Sequence, residues 1–359
     1  MLKVVNCWQA VASRQRDNEI AIHGGRAAGL GVCRPTNHLL RRSVHLIAAG
    51  AHKEVASAPK GSYMGLGRHA VEAILREHQF RPIRNDVVII GRQTVYFGVD
   101  ELVQLLTEFG IDPHDVNFSD IELDHETVDR LPGFRECSLV SDKGLFRLLG
   151  CGSVRALDHS AYEGAEIIHD LRHLLPRQLH GIADFIVDGS TLDNIFTPET
   201  TLRNYCDLLR PGGRLIAINA FSTHDTPYVI MPPLWYVDYF VVNRFVDCKV
   251  YVIIYIDGRD NVFYVDLDFL QRARREMGRF RSPHHMVTLV FAEKGQNSTT
   301  HLLPNQQDYR SSEEWEVFCR NLSGIQKSQR PHLVRSHCTQ IVVDVIGGHR
   351  FVDNDFVAH

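Results

Sequence analysis

Apolar and polar positions follow two rhythms along this chain, and the rhythm changes at glycines, prolines and aspartates. Residues 65–80 (GLGRHAVEAILREHQF) carry apolar side chains at helical spacing, with Val71, Ile74 and Leu75 on one face, and Pro82 closes the run. Residues 86–90 (DVVII) form a short continuous apolar run ending at Gly91, the pattern of a strand buried on both faces. The alternation then repeats. Residues 101–109 read as a helix stopped by Gly110, and 143–149 as a helix running to Gly150. Residues 153–157, 166–168 and 183–187 read as strands that end at Asp158, Asp170 and Asp188. Residues 201–209 predict a helix ended by Pro211, Gly212 and Gly213, and 214–219 (RLIAIN) the next strand. Residues 248–256 and 286–292 predict two more strands, joined by a long connection with a helical stretch at 267–277.

Strands alternating with helices predict a parallel sheet covered on both faces. Right-handed crossovers collect the carboxyl ends of those strands on one edge, where ligands bind in such folds. Three regions are expected: an N-terminal arm and helix over 1–84, an α/β domain over 85–292, and a peripheral polar tail over 293–359 with one edge strand at 342–346. The domain carries a polar, poorly periodic insertion at 111–140, a candidate lid.

Composition narrows the classes. The chain has 359 residues, 44% hydrophobic and 23% charged, enough for two domains or one large domain with additions. The net charge of −4 argues against a generally basic nucleic-acid binder, and the arginine-rich stretch 271–281 reads as a solvated helix face. No apolar run reaches membrane-spanning length, and the N-terminus has no secretory apolar region, so no membrane partner is expected. The 8 cysteines form no CxxC spacing, which suits reduced thiols in the cytoplasm. The 20 histidines are scattered without HExxH, and no metal site is expected.

The candidate chemistry lies at the strand ends. Asp158, Asp170 and Asp188 would line one edge of a doubly wound sheet together. An acid after the second strand suits a ribose diol, because a carboxylate accepts two hydroxyl hydrogens. An acid after the third strand can accept an adenine amino group. The runs SVRALDHSAYEGAEIIHDL (153–171), ADFIVDGSTLDNIF (183–196) and LLRPGGRLIAIN (208–219) resemble class I S-adenosylmethionine-dependent methyltransferases, in particular bacterial methyltransferase-domain proteins carrying a D-S-YEGA-IIHDL segment. The resemblance covers about residues 85–292.

It implies a Rossmann-like, doubly wound, seven-stranded and mostly parallel sheet whose last strand is antiparallel, with S-adenosylmethionine as cofactor. By the resemblance, Gly91 and Arg92 lie near the methionine part and Asp158 holds the ribose with Ser160 close by. Asp170 and Leu171 flank the adenine, Asp188 and Gly189 sit beneath the sulfonium and amino group, and Asp193 is a further candidate. The sequence departs from the family where a GxGxG loop should follow the first strand: Gly91, Arg92, Gln93 and Thr94 stand there instead. Asp158 also lies much further along the chain than the about 20 residues of dinucleotide folds. S-adenosylmethionine has no pyrophosphate to cradle, so this loop weakens a nicotinamide-dependent oxidoreductase reading more than a methyltransferase one.

The acceptor segment is expected at 221–240 (FSTHDTPYVIMPPLWYVDYF), with His224 as general base and Asp225 beside it. Tyr228, Trp235, Tyr236 and Tyr239 offer a platform for a sugar or another flat-faced substrate, whereas Trp235, Tyr239 and Phe240 also fit one buried helix face. His159 and His169 read as residues that shape the pocket. The expected activity is methylation of a small-molecule or glycan-like acceptor, on oxygen. The alternative is a non-catalytic Rossmann-like binding or scaffold module. The oligomeric state is not legible.

Overall fold

The computed structural model describes residues 65–111, 121–125, 138–161, 163–222, 227–256, 259–264, 285–326, 328 and 330, all within one unit, Lys53–His359. The N-terminal arm, most of the 111–140 insertion, the 267–277 helix, His224, Asp225 and the 342–346 strand lie outside the described residues.

The first helix, α1 (Arg68–Phe80), buries Ala70, Val71, Ile74 and Leu75 and gives way to extended backbone at Arg81, before Pro82. Strand β1 (Asp86–Ile90) follows, then a strand that sequence periodicity did not reveal, β2 (Thr94–Gly98), and α2 (Val99–Glu108). β3 (Leu139–Ser141) pairs antiparallel with β2 as a separate small ribbon and leads into α3 (Asp142–Leu148), capped by the Ser141 hydroxyl. β4 (Ser153–Asp158), β5 (Ile167–Ile168), β6 (Ala183–Gly189), α4 (Pro198–Leu208), β7 (Leu209–Ala220), α5 (Pro233–Val242), β8 (Asp247–Ile256), β9 (Arg259–Tyr264), β10 (Met286–Glu293) and α6 (Ser312–Gln326) complete the described elements.

The main sheet runs in the order β5-β4-β1-β6-β7-β10-β8-β9. β1 pairs parallel with β4 and β6, and β6 with β7, while β10 is antiparallel to both β7 and β8. The expected doubly wound sheet of seven strands with an antiparallel last strand is therefore present, with β9 added at its edge by an antiparallel hairpin from β8.

Strand periodicity divides the core between the two faces. Val87, Ile89, Phe185, Val187, Ile216 and Ile218 point to one side, beneath α1, α2 and α3. Val88, Ile90, Ile186, Leu215 and Ala217 point to the other, beneath α4, α5 and α6. Cover on both faces is why these strands read as unbroken apolar runs. The polar stretch after Glu293, expected as a peripheral tail, joins the core in part. α6 places Phe318, Leu322 and Ile325 at helical spacing against the second face, and all three are buried. The Arg330 guanidinium is buried among Glu77, Asp247 and Glu293 at the amino edge of the sheet.

Candidate functional site

After β1 the chain turns one way to β4 and β5, and later the other way to β6 and β7. This makes the β1/β6 boundary the topological switch point, where ligands of open α/β sheets bind beyond the strand carboxyl ends. Gly91 stands there with φ 63°, a left-handed conformation that costs a residue with a Cβ. Its N–H donates to the Leu157 carbonyl at 2.8 Å, tying the β1 turn to the end of β4. A Cβ at Gly91 would lie 3.1 Å from Thr191 Oγ1, 3.7 Å from Gln93 Nε2 and 3.9 Å from Asp158 Oδ2. These three side chains border the switch-point crevice beside the glycine. Ser190, with φ 78°, is a second left-handed residue at the switch point, and it is not a glycine.

The acid after β4 faces this crevice. The Asp158 side chain is 21% exposed, and its Oδ1 accepts the Ser160 N–H at 3.2 Å and lies 2.7 Å from His159 Nδ1. The loop after Asp158, which carries the family resemblance, is held by two cations. Arg92 pairs with Asp142 at 2.8 Å and donates to the Glu163 carbonyl at 2.8 Å. Lys143 Nζ donates to the Gly164 carbonyl at 3.2 Å and to Glu166 Oε1 at 2.5 Å. Burial works to raise the Glu166 carboxyl, but the hydrogen bonds from Lys143 and the Ala156 N–H hold it below its ordinary value. Arg92 is thus a strut between the β1 turn, α3 and the β4 loop.

The other two strand-end acids have different surroundings. Asp170 is clasped by its neighbour Arg172, with contacts of 3.0 and 2.6 Å, and hydrogen bonding from that guanidinium depresses its carboxyl strongly. Leu171 is buried in the core, and its carbonyl accepts from Asn204 Nδ2 at 2.9 Å.

Asp188 is 0% exposed. Its Oδ1 accepts the Thr191 N–H at 2.7 Å, and its Oδ2 accepts from Asn219 Nδ2 at 3.0 Å. Burial pushes its carboxyl up to about 7; the charge of Asp193 adds to this and the hydrogen bonds oppose it. Asp193 is buried too, and accepts from the Ser190 hydroxyl at 2.9 Å and the Ala220 N–H at 2.6 Å. The Tyr205 and Tyr236 phenols lie buried beside these acids, raised first by burial and then by the acids' charge. This network sits behind the crevice wall and anchors the Ser190–Thr191 turn to the end of β7.

The structure therefore brings together Gly91, Asp158 and Ser160, and keeps Arg92, Asp170, Leu171 and Asp188 in contacts within the protein. Gly189 faces Gln93, whose Oε1 lies 2.3 Å from where a Gly189 Cβ would stand. Gln93 was seen in the sequence only as part of the turn that replaces GxGxG, and Thr191 was missed; their signal is position, each two residues beyond a glycine already singled out, Gly91 and Gly189. Of the residues read as one buried helix face, Tyr239 and Phe240 are core and Trp235 is partly buried against it; Tyr236, read with the platform, is core too, whereas Tyr228 is exposed and meets Phe196 edge-to-face at 6.4 Å. Elsewhere on the same edge the Tyr255 hydroxyl lies 2.6 Å from His69 Nε2, and the His285 ring stacks on Tyr255 at 5.0 Å.

Among the described residues no helix is long and apolar enough to cross a membrane. No protein-family model matches the chain, and no curated protein matches it in sequence. Solved structures resemble it at fold level. The CMeT domain of a citrinin polyketide synthase aligns at 11% identity and a TM-score of 0.33, over 63% of this chain and 52% of that one. The chain thus spans about half the length of that relative. A SAM-dependent methyltransferase from Archaeoglobus fulgidus aligns at 12% identity and a TM-score of 0.30, over 63% of this chain and 94% of that one. The Burkholderia thailandensis 1,6-didemethyltoxoflavin-N1-methyltransferase, solved with 1,6-didemethyltoxoflavin and S-adenosylhomocysteine, aligns at 13% identity and a TM-score of 0.25, over 62% of this chain and 76% of that one. Likeness at this level carries no functional assignment.

Proposed function

We propose that the crevice at the switch point binds S-adenosylmethionine and that the chain is a methyltransferase for a small-molecule or glycan-like acceptor, methylated on oxygen. The observation that carries the reading is the Asp158 carboxylate at the switch point, with its Oδ2 3.9 Å from the Cβ position of the left-handed Gly91. In this reading Asp158 accepts the two ribose hydroxyls, and Gly91 lets the ligand approach the backbone. Arg92 and Lys143 hold the surrounding loops and do not touch the ligand. The Asp188 and Asp193 network positions the Ser190–Thr191 turn. When bound, the cofactor supplies an electrophilic methyl group on a neutral leaving group, so catalysis can rest largely on positioning. His224 is assigned the acceptor's proton and Asp225 its neighbour's role. The unbridged cysteines of the described residues are in keeping with a cytoplasmic location.

A dinucleotide fits less well. β1 runs through a three-residue turn into β2, so the helix N-terminus that would hold a pyrophosphate does not follow β1. The second reading, a non-catalytic binding module, draws on Asp170 being taken up by Arg172 and on Gln93 lying against Gly189.

Calorimetric titration with S-adenosylmethionine, S-adenosylhomocysteine and NADH tests the proposal. The expected result is micromolar binding of the first two, absent for NADH and lost in Asp158→Ala. Binding without methyl transfer across a labelled acceptor screen would favour the binding module. Failure of both adenosyl ligands to bind would refute the methyltransferase reading.

A further inference from the structure

Two exposed aromatic rings meet on the carboxyl edge of the sheet. Phe196 is 79% exposed and Tyr228 75%, and their rings stand edge-to-face at 6.4 Å with an interplanar angle of 83°. They come from different loops: Phe196 lies between the end of β6 and α4, and Tyr228 between β7 and α5. Backbone hydrogen bonds hold both loops. The Val229 N–H donates to the Asp193 carbonyl at 3.1 Å, and the Met231 N–H to the Ala220 carbonyl at 2.8 Å. The Ile195 N–H donates to the Leu192 carbonyl at 3.3 Å, and the Thr197 carbonyl accepts the Thr201 N–H at 3.1 Å. Ile195 and Val229 pack against the core, and the ring next to each in sequence is turned outward. Asp193, which ties the two loops together, lies two residues beyond Thr191 at the border of the crevice.

Size and chemistry limit what this pair can hold. Two aromatic side chains at these exposures leave roughly 300 Å² open. A stable interface between two protein copies takes about 800 Å² from each. The patch is therefore of small-molecule size. Its two rings are nearly perpendicular, so a flat ring can stack on one and stand edge-to-face with the other. Ile230, two residues beyond Tyr228, is 39% exposed and adds apolar surface. Phe196, Tyr228 and Ile230 carry one side-chain polar group between them, the Tyr228 hydroxyl, and no charge. A sugar seated on them would give up water at several hydroxyls for that one partner, whereas an aromatic ring has no such hydroxyls to leave unpaired.

We infer that Phe196 and Tyr228 form a binding corner for a planar, uncharged aromatic ring, and that the methyl acceptor is an aromatic hydroxy compound rather than a glycan. The acceptor role rests on the methyltransferase reading given above; the binding corner does not.

Equilibrium dialysis of the full chain with 2-naphthol and with methyl β-D-glucopyranoside tests the corner. The wild type is expected to bind 2-naphthol, and the glucoside at least tenfold more weakly. Phe196→Ala and Tyr228→Ala should each weaken 2-naphthol about three- to tenfold, the worth of one aromatic contact. Both positions are exposed, so both variants should melt with the wild type, which separates lost binding from lost folding. No binding of 2-naphthol, equal affinity in the wild type and both variants, or a glucoside bound as tightly as 2-naphthol overturns the inference. So does a wild-type dimer in sedimentation velocity that Phe196→Ala dissociates, because the pair is then an interface between copies. Calorimetry of S-adenosylhomocysteine on the same three proteins reads the methyltransferase proposal separately and should give one affinity for all. If none binds it while 2-naphthol still depends on the pair, the methyltransferase reading and the acceptor role fall and the corner stands. If all bind it and 2-naphthol ignores the pair, the corner falls and that reading stands.

Discussion

Asp188 offers a quantitative test of the network behind the crevice. In the unfolded chain its carboxyl titrates near 3.8, whereas burial raises it to about 7 in the native state. A difference of about three units at about 1.4 kcal/mol each makes the buried charge cost about 4 kcal/mol at alkaline pH. The native state binds the extra proton, so this contribution is fully present below pH 3.8 and is lost as pH rises through about 7. Asp188→Asn removes the titration. The amide oxygen can still accept from Thr191, but its NH2 then meets the Asn219 Nδ2, which costs about 1–3 kcal/mol. The variant should therefore be less stable than wild type at pH 4 and more stable at pH 8, with crossing curves. Urea unfolding at half-unit steps from pH 4 to pH 9 gives both curves, and taking their difference removes every other titrating group. Parallel curves would refute the argument, because they would mean that Asp188 carries the same charge folded and unfolded.

Gly91→Ala forces a Cβ into the left-handed region and against the Thr191 hydroxyl, so it should lose about 1–2 kcal/mol in denaturant titration and weaken binding of adenosyl ligands by calorimetry. Arg330→Ala leaves Glu77 and Asp247 buried without that guanidinium and should cost about 3–5 kcal/mol, read as a lower urea midpoint at unchanged slope. Phe318→Ala removes an α6 ring from the core and should cost about 3–5 kcal/mol by the same assay, whereas an exposed tail would show almost no change. Burial pushes the Cys151 thiol up to about 12, so a thiol reagent at pH 8 should label it only after denaturant is added.

The strands of the main sheet show how far local pattern reaches. β1, β6 and β10 were readable because nearly every residue of each is buried, on both faces of the sheet, whereas β4 alternates in burial and was readable from the aspartate that ends it. β2 and β3 alternate in burial or are very short, so they left no comparable signal. α6 escaped for a related reason. Its apolar contacts are only one stripe on a helix whose other positions are charged or polar, within a stretch rich in Gln, Ser and Glu. The strand-end aspartates were legible as positions, but their roles were not. Asp158 faces the crevice, Asp170 is clasped by a neighbour two residues on, and Asp188 turns into the core.

The chain's own residue order determined the alternation of strands and helices, the doubly wound class and the edge on which a ligand would sit. Each of these follows from apolar spacing and from the residues that stop a strand or a helix, all of it local information. Only the tertiary structure decided which of three equivalent acids looks into the crevice. It alone shows that Gln93 fills the space over Gly189 and that a distant arginine closes the amino edge. Those outcomes depend on side-chain direction and on contacts between residues up to 253 positions apart, as for Glu77 and Arg330, which no spacing along one segment encodes.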